Sequence, residues 1–424
     1  MLLHERAMIL ASYMRDEMSQ SSREQTALLR RAELCVTIAI FVTVFSTPSR
    51  LATLPLRAVV KDDLGLSPEQ MAEFFALIGI AWYVKPIAAV ISDQIPLGGT
   101  RRKHYMMLSV LAGAVTWIAT ALVPLSLQSL IIAMTAINLM AVLGNTVTGG
   151  LLVDKGREHR STGRLSALRV LAMNTGSLIA GPLGGWLASQ AFPATCAVGG
   201  GSMLVMVVLV GIFLDGNAAS SKSVPLPQRV AETIALLKQR RIWAVALITG
   251  LIYLAPGFWS LLYYHQRDAL GFGDQSIGFL ASLNCAGGML GVFVYMRLSK
   301  RYTLRRMLIV GMFLNAACTL TYLLYDSMSS ALVLEPNAGF WFLLSIMPVQ
   351  ELTARASPPR YEALGYALIL SAGNAAIAMS DVLGTHIAAS FDLDLHGMIV
   401  INAVCLVLPL LLLPLVPRPL LEKE

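Results

Sequence analysis

Residues 127–152 read LQSLIIAMTAINLMAVLGNTVTGGLL and contain no charged side chain. A helix needs about 20 such residues to cross a hydrocarbon core of about 30 Å. Comparable runs recur at 34–60, 69–92, 104–124, 163–190, 193–214, 242–265, 275–297, 304–325, 329–352, 361–391 and 395–416. Lipid offers no water to unpaired backbone groups, so a spanning segment must be a helix or part of a closed barrel. The short, alternating segments of a barrel are absent from this pattern, and helices follow. Only 13% of the 424 residues are charged and 56% are hydrophobic, against about a quarter charged in soluble domains.

Twelve spans divide six and six at the longest polar connection, 215–241, which contains SSKSVPLPQR and then AETIALLKQRR. The expected units are a cytosolic tail 1–33, a first bundle 34–214, a linker 215–241, a second bundle 242–416 and a short tail 417–424. Charge supplies the orientation. With the N-terminus in the cytosol, Lys61 and Arg267 stand outside, and Arg50, Arg57, Lys85 and Arg169 lie within spans. Every other Lys and Arg of the 32 then falls on the cytosolic side. The net charge of +7 is therefore spread over loops on one membrane face, which argues against nucleic acid as a partner. Residues 1–33 carry charges throughout and show no signal-peptide core. A multi-pass protein of a bacterial-type cytoplasmic (inner) membrane, with both termini cytosolic, is the expected location.

The two halves echo each other. Asp63-Leu64-Gly65-Leu66-Ser67 leads into span two, and Ala269-Leu270-Gly271-Phe272-Gly273 leads into span eight. Two six-helix halves related by an axis along the membrane normal form the major facilitator arrangement, with a substrate site between them near the midplane. The expected fold class is thus an all-α membrane protein with the major facilitator fold, built from two pseudo-symmetric six-helix bundles.

Span two holds a cation and a break side by side. Glu69 to Asp93 covers roughly 36 Å of helix, and Lys85 lies roughly 12 Å inside its cytosolic end. Pro86 follows, which frees the carbonyl of Trp82 and bends the helix. Asp93, Arg101 and Arg102 form a charged clasp at the cytosolic mouth, and Arg169, a turn or two inside span five, joins that gate.

Several motifs carry a family resemblance. WYVKP and SDQIPLGGTRRKHY (82–105), LPLRAVVKDDLGLSP (54–68) and SPPRYEALGYALILSAGN (357–374) resemble motifs of the folate–biopterin transporter family, a branch of the major facilitator superfamily. Two departures stand out. Where the family often carries three acids in span four, this chain reads Asn145, Gly149 and Asp154; where a cysteine precedes the two prolines, it reads Ser357. The resemblance implies a secondary active transporter of folates, pterins or related heteroaromatic anions, coupled to protons as a symporter and working by alternating access.

Polar groups inside spans nominate the site, because ionisable side chains at membrane depth normally face a cavity or a partner. Thr43, Ser46, Arg50, Thr53 and Arg57 are spaced to share one face of span one, as are Ser371, Asn374, Ala378, Asp381 and Thr385 of span eleven. Arg50 and Arg57 are candidates to hold a substrate carboxylate, which suits the planar guanidinium fork. Asn174, Asn284, Ser371 and Asn374 are candidates to read a heterocycle edge, and Lys85 to add a further cation. Asp381, the only acid placed near the midplane, is the candidate proton acceptor. In a competing reading Arg50 and Asp381 form a structural ion pair across the halves, while Arg57 and Lys85 merely snorkel.

Other classes fare worse. The chain has no G-x-x-x-x-G-K-[ST] loop, no H-E-x-x-H and no G-x-S-x-G, so neither ATP hydrolysis nor a known hydrolase site is expected. The chain is read as a transporter, not an enzyme. Cys35, Cys196, Cys285, Cys318 and Cys405 show no metal spacing, and no cofactor or metal is implied. The expected partners are a small-molecule substrate, protons and the lipid bilayer, with the protein acting as a monomer. GSLIAGPLGGW (176–186) resembles the antiporter motif of drug exporters, one residue short. It keeps open an exporter or importer of another amphiphile, such as a drug or siderophore, although small-residue packing also explains it.

Overall fold

A computed structural model describes residues 34, 37–83, 85–94, 97, 103–158, 162–213, 231, 238–356 and 362–422. Helices occupy every stretch read above as a span. Among the described residues, eight are single, apolar and long enough to cross a membrane, including Lys103–Leu122, Asp274–Leu298, Met328–Ala356 and Leu368–Phe391. Span five is one helix, Thr162–Ala188. Spans one, two and seven are interrupted. Span one runs over 37–45 and resumes at Thr53–Ala58. Span two consists of Pro68–Ile78, Ile80–Tyr83 and Lys85–Gln94. Span seven runs over Arg240–Tyr253 and resumes at Trp259–Tyr264.

Each interruption exposes backbone polar groups at membrane depth, and each is repaired by side chains of neighbouring spans. Pro48 has no N–H, and the hydroxyl of Thr47 donates to the Val44 carbonyl instead, at 2.7 Å. The Ser46 carbonyl accepts from the Trp117 indole N–H of span three at 3.1 Å. In span two, Asn138 of span four donates to the Ile78 carbonyl at 2.7 Å and accepts from the Trp82 indole at 3.2 Å. The Trp82 carbonyl freed by Pro86 accepts from Asn374 Nδ2 of span eleven at 3.4 Å. In span seven the Gly257 N–H donates to the Ser380 carbonyl at 2.8 Å, the Ser380 hydroxyl donates to the Ala255 carbonyl at 2.6 Å, and Asn402 donates to the Pro256 carbonyl at 2.8 Å.

The break in span one corrects the expected single polar face. Pro48 ends the first helix, so Thr43 and Ser46 are separated from Arg50, Thr53 and Arg57. The Thr43 hydroxyl bonds back to the Ala39 carbonyl at 2.6 Å, and the Ser46 hydroxyl meets Ser202 of span six at 2.7 Å. Only the last three turn towards the interface between the bundles.

The bundles meet along two seams. Spans two and eleven share the Asn374–Trp82 bond and a Glu73–His386 contact of 2.9 Å. Spans five and eight approach through glycine. A Cβ at Gly181 would lie 2.5 Å from the Gly278 carbonyl oxygen, and one at Gly185 would lie 2.5 Å from that of Asp274. The other face of the same segment serves span one: a Cβ at Gly176 would touch Phe41 and Phe45, and one at Gly184 would stand 3.0 Å from the Leu51 carbonyl oxygen. The GPLGG segment is thus a two-sided packing surface.

Spans eight and ten pack as closely within the second bundle, where a Cβ at Gly287 would fall 1.8 Å from the Pro336 carbonyl oxygen. Gly287→Ala forces these helices apart and is expected to cost about 1–3 kcal/mol, read as a lower Tm in detergent. Gly250→Ala, with nothing within 4 Å of the added atom, is expected to leave the Tm unchanged or raise it.

Candidate functional site

A cavity of about 470 Å³ lies between the bundles, within the size range of small-molecule sites. Both halves line it. Arg50, Thr53 and Arg57 come from span one and Asn174 from span five. Trp259 and Gln266 come from span seven and its following turn, Asn284 and Cys285 from span eight, and Glu335 and Phe342 from span ten.

The charged members differ in how they are held. The Arg50 side chain is exposed to the cavity and has no hydrogen-bond or ion-pair partner among the described residues. Arg57 is wedged between aromatic faces, 5.7 Å from the Phe75 ring centre and 5.3 Å from that of Tyr263. Its buried Nε has no partner among the described residues. The rings hold the charge without consuming the N–H donors. Across the cavity the Glu335 carboxylate is 6% exposed and accepts from Asn284 Nδ2 at 3.0 Å and from the hydroxyls of Tyr325 and Tyr322 at 3.1 and 3.3 Å. Trp259 and Phe342 add aromatic surface, and both remain accessible.

Glu335 was missed by sequence reasoning. It sits close to the start of span ten, where an acid reads as a helix-end residue. Its spacing of four or less from Pro336, Asn337 and Gly339 was the available signal, since small and polar residues cluster there on an apolar helix.

The other candidates scatter. Asn174 and Asn284 line the cavity, and the Asn284 amide is engaged by Glu335. Ser371 is buried within span eleven, and Asn374 supports the Trp82 carbonyl; neither lines the cavity. Asp381 does not line it either. Its carboxylate accepts from the Ser260 hydroxyl at 2.6 Å and the Ser260 N–H at 3.2 Å, which caps the resumed helix of span seven from span eleven. No ion pair joins Arg50 to Asp381. Lys85 donates to Asn145 Oδ1 at 2.7 Å, and Arg169 approaches the same oxygen at 3.5 Å. These cations meet at the first of the three span-four positions compared above. Arg101, Arg102 and the Asp93 side chain lie outside the described residues.

At the end predicted to face outward, the two bundles are tied by a reciprocal pair of contacts. The turns Val59–Asp63 and His265–Ala269 are both single π-helical turns. Each is followed by Leu-Gly, with Gly65 at φ 63° and Gly271 at φ 65°, a left-handed conformation that glycine adopts without strain. Lys61 pairs with Asp268 at 2.7 Å, and Arg267 pairs with Asp62 at 2.6 Å. Arg267 also reaches Asp274 at 2.6 Å, and the Tyr264 hydroxyl donates to the Leu66 carbonyl.

The sequence model of the BT1 family matches residues 47–424. The chain belongs to the BT1 family. Among curated relatives, BT1-family resemblance extends to the "Folate-biopterin transporter" of Synechocystis sp., 26% identical over 396 residues, covering 87% of this chain and 78% of that protein. It also extends to "Probable folate-biopterin transporter 4" of Arabidopsis thaliana, 24% identical, covering 85% and 90%, and to "Folate transporter 1" of Plasmodium falciparum, 21% identical, covering 88% and 78%. Among solved structures, a mutant form of the nucleoside transporter NupG superposes with a TM-score of 0.72 at 13% identity, covering 91% of this chain and all of that one. A D-xylose-proton symporter follows at 0.69 and 13%, covering 91% and 98%. The fold of this BT1-family chain is that of the major facilitator transporters, and the chain is a multi-pass membrane transporter.

The reciprocal ion pairs tie the two bundles together at this end. Arg267→Ala removes the Arg267–Asp62 pair between the bundles, worth about 0.2–1 kcal/mol, and is expected to raise access to the cavity about threefold. The rate at which a membrane-impermeant maleimide labels Cys285 from the outer face of sealed vesicles measures this; an unchanged rate would show that the pairs do not hold that end.

Proposed function

We propose that this protein carries a folate- or pterin-like anion across the membrane by alternating access, coupled to protons. The observation that carries the reading is Arg50, a cation facing the inter-bundle cavity with all its donors uncommitted among the described residues. A guanidinium in such a position suits a carboxylate, which it binds through two parallel N–H donors. Opposite it, Trp259 and Phe342 offer faces for a flat ring, while Asn284 and Gln266 bring amides to the same wall. An acid joined to a heteroaromatic ring fits both halves of this lining. The names of the curated relatives point to the same chemical class.

Orientation follows from the Lys and Arg distribution, with both termini in the cytosol and the tied end outward. On this reading the ion pairs of Lys61 and Arg267 close the outer gate, and Asp93, Arg101, Arg102 and Arg169 belong to the inner one. Folates and pterins enter as substrates of a cytoplasmic-type membrane protein that runs on an ion gradient and not on ATP.

Uptake of radiolabelled folic acid and of pterin-6-carboxylate into proteoliposomes tests the proposal. Arg50→Ala is expected to lower uptake of both by about tenfold or more, the loss of a charge-assisted hydrogen bond. Arg50→Lys is expected to recover part of it. Uptake by Arg50→Ala equal to that of the parent protein would remove Arg50 from substrate binding, and no uptake by the parent protein would exclude this substrate class.

A further inference from the structure

Among the described residues, no cation holds Glu335. Its three partners, Asn284, Tyr322 and Tyr325, are neutral donors. The two tyrosine rings are stacked 5.4 Å apart and only 2° from parallel, so their hydroxyls reach the carboxylate from a fixed platform. The contacts continue beyond it. Gln266 Nε2 donates to the Tyr325 hydroxyl at 2.6 Å, and Gln266 is 4% exposed. Gln266 stands in the turn His265–Ala269, next to the Arg267 that bridges Asp62 and Asp274. His265 of the same turn meets the Tyr325 carbonyl at 3.3 Å. A continuous hydrogen-bonded path therefore joins the cavity wall to the turn that ties the bundles together.

We propose that Glu335 carries the coupling proton, and that its charge state sets the grip of the outer gate through Tyr325 and Gln266. The proposal rests on the transporter reading above and moves the protonation site from Asp381, which is committed to Ser260. When Glu335 is ionised, Oε1 accepts from Tyr325, whose hydroxyl hydrogen is thereby directed away from Gln266 and leaves its oxygen free to accept. A proton taken from cavity water onto Oε1 turns that atom into a donor. The Tyr325 hydroxyl must then redirect its own hydrogen, and the fixed orientation that receives Gln266 is lost. The proton returns to cavity water when Glu335 ionises again, and no other group changes its charge.

Substrate enters the same balance. Among the described residues, the charged groups lining the cavity are Arg50, Arg57 and Glu335. An arriving anion is attracted by the first two and repelled by an ionised Glu335, so anion and proton favour each other's binding. By linkage the effect is mutual. Among the described residues the titratable groups in contact with Glu335 are Tyr322 and Tyr325 from the end of span nine; Cys285 of span eight and the two arginines line the same cavity, and His265 of the gate turn meets the Tyr325 carbonyl.

Hydrogen–deuterium exchange of the full-length protein in lipid nanodiscs, without substrate, tests the path. Exchange is compared at acid and alkaline pH after correction for the intrinsic rate. The parent protein is expected to protect residues 59–66 and 265–272 at alkaline pH and to lose roughly fivefold or more of that protection in acid. Glu335→Gln is expected to exchange fast at both, keeping only the residual response of Asp62, Asp268, Asp274 and His265. Tyr325→Phe, which retains the ring stack and the carboxylate, is expected to match it. A parent-like pH response in Glu335→Gln, or undiminished protection in Tyr325→Phe, would overturn the proposal. Because no substrate is present, failure of folic acid uptake would sink the substrate reading without touching this outcome.

Discussion

Lipid cannot hydrogen-bond a free backbone group, and the architecture of this protein answers that constraint at every broken span. A continuous helix satisfies its own N–H and C=O groups; spans one, two and seven do not. Their carbonyls are taken up by Trp117, Asn138, Asn374, Ser380 and Asn402, from spans three, four, eleven and twelve. Removing any one leaves an acceptor in a medium where nothing else can reach it. The breaks are therefore tolerated where polar side chains of other spans reach the freed groups.

This explains why polar residues in the spans divide into two populations. Some complete the backbone: Ser380, Asp381, Asn374 and Asn138 belong here, each bonded to a main-chain group of another span. Others face the cavity with capacity to spare, Arg50 and Arg57 above all. Sequence spacing cannot separate the populations, because both sit on helix faces that point towards other protein. Asp381 illustrates the point. Its position near the middle of span eleven was legible, but its partner Ser260 lies at the far side of a break that Pro256 and Gly257 introduce.

Much of the architecture was nonetheless readable. Apolar run lengths gave the spans, and Lys85-Pro86 gave the freed carbonyl of Trp82. The paired Leu-Gly signals before spans two and eight marked real correspondence, since both glycines take the same left-handed φ and both follow a π-helical turn. Glu335 was not readable. Its depth depends on where span ten begins, and a shift of a few residues moves an acid from the interface to the cavity wall. The break at Pro48 was hidden for a related reason: a run of Thr, Ser and Pro still scores as apolar enough to cross.

The matched turns carry one more implication. Each contains a cation followed at once by an acid, Lys61-Asp62 and Arg267-Asp268, and each cation reaches the acid of the opposite turn. A patch that complements itself about a two-fold axis needs only one sequence to make two bonds, as in a symmetric dimer. A duplicated half-protein carrying a single Lys-Asp or Arg-Asp step would have possessed this latch from the moment its copies were fused, before either half acquired a cargo of its own.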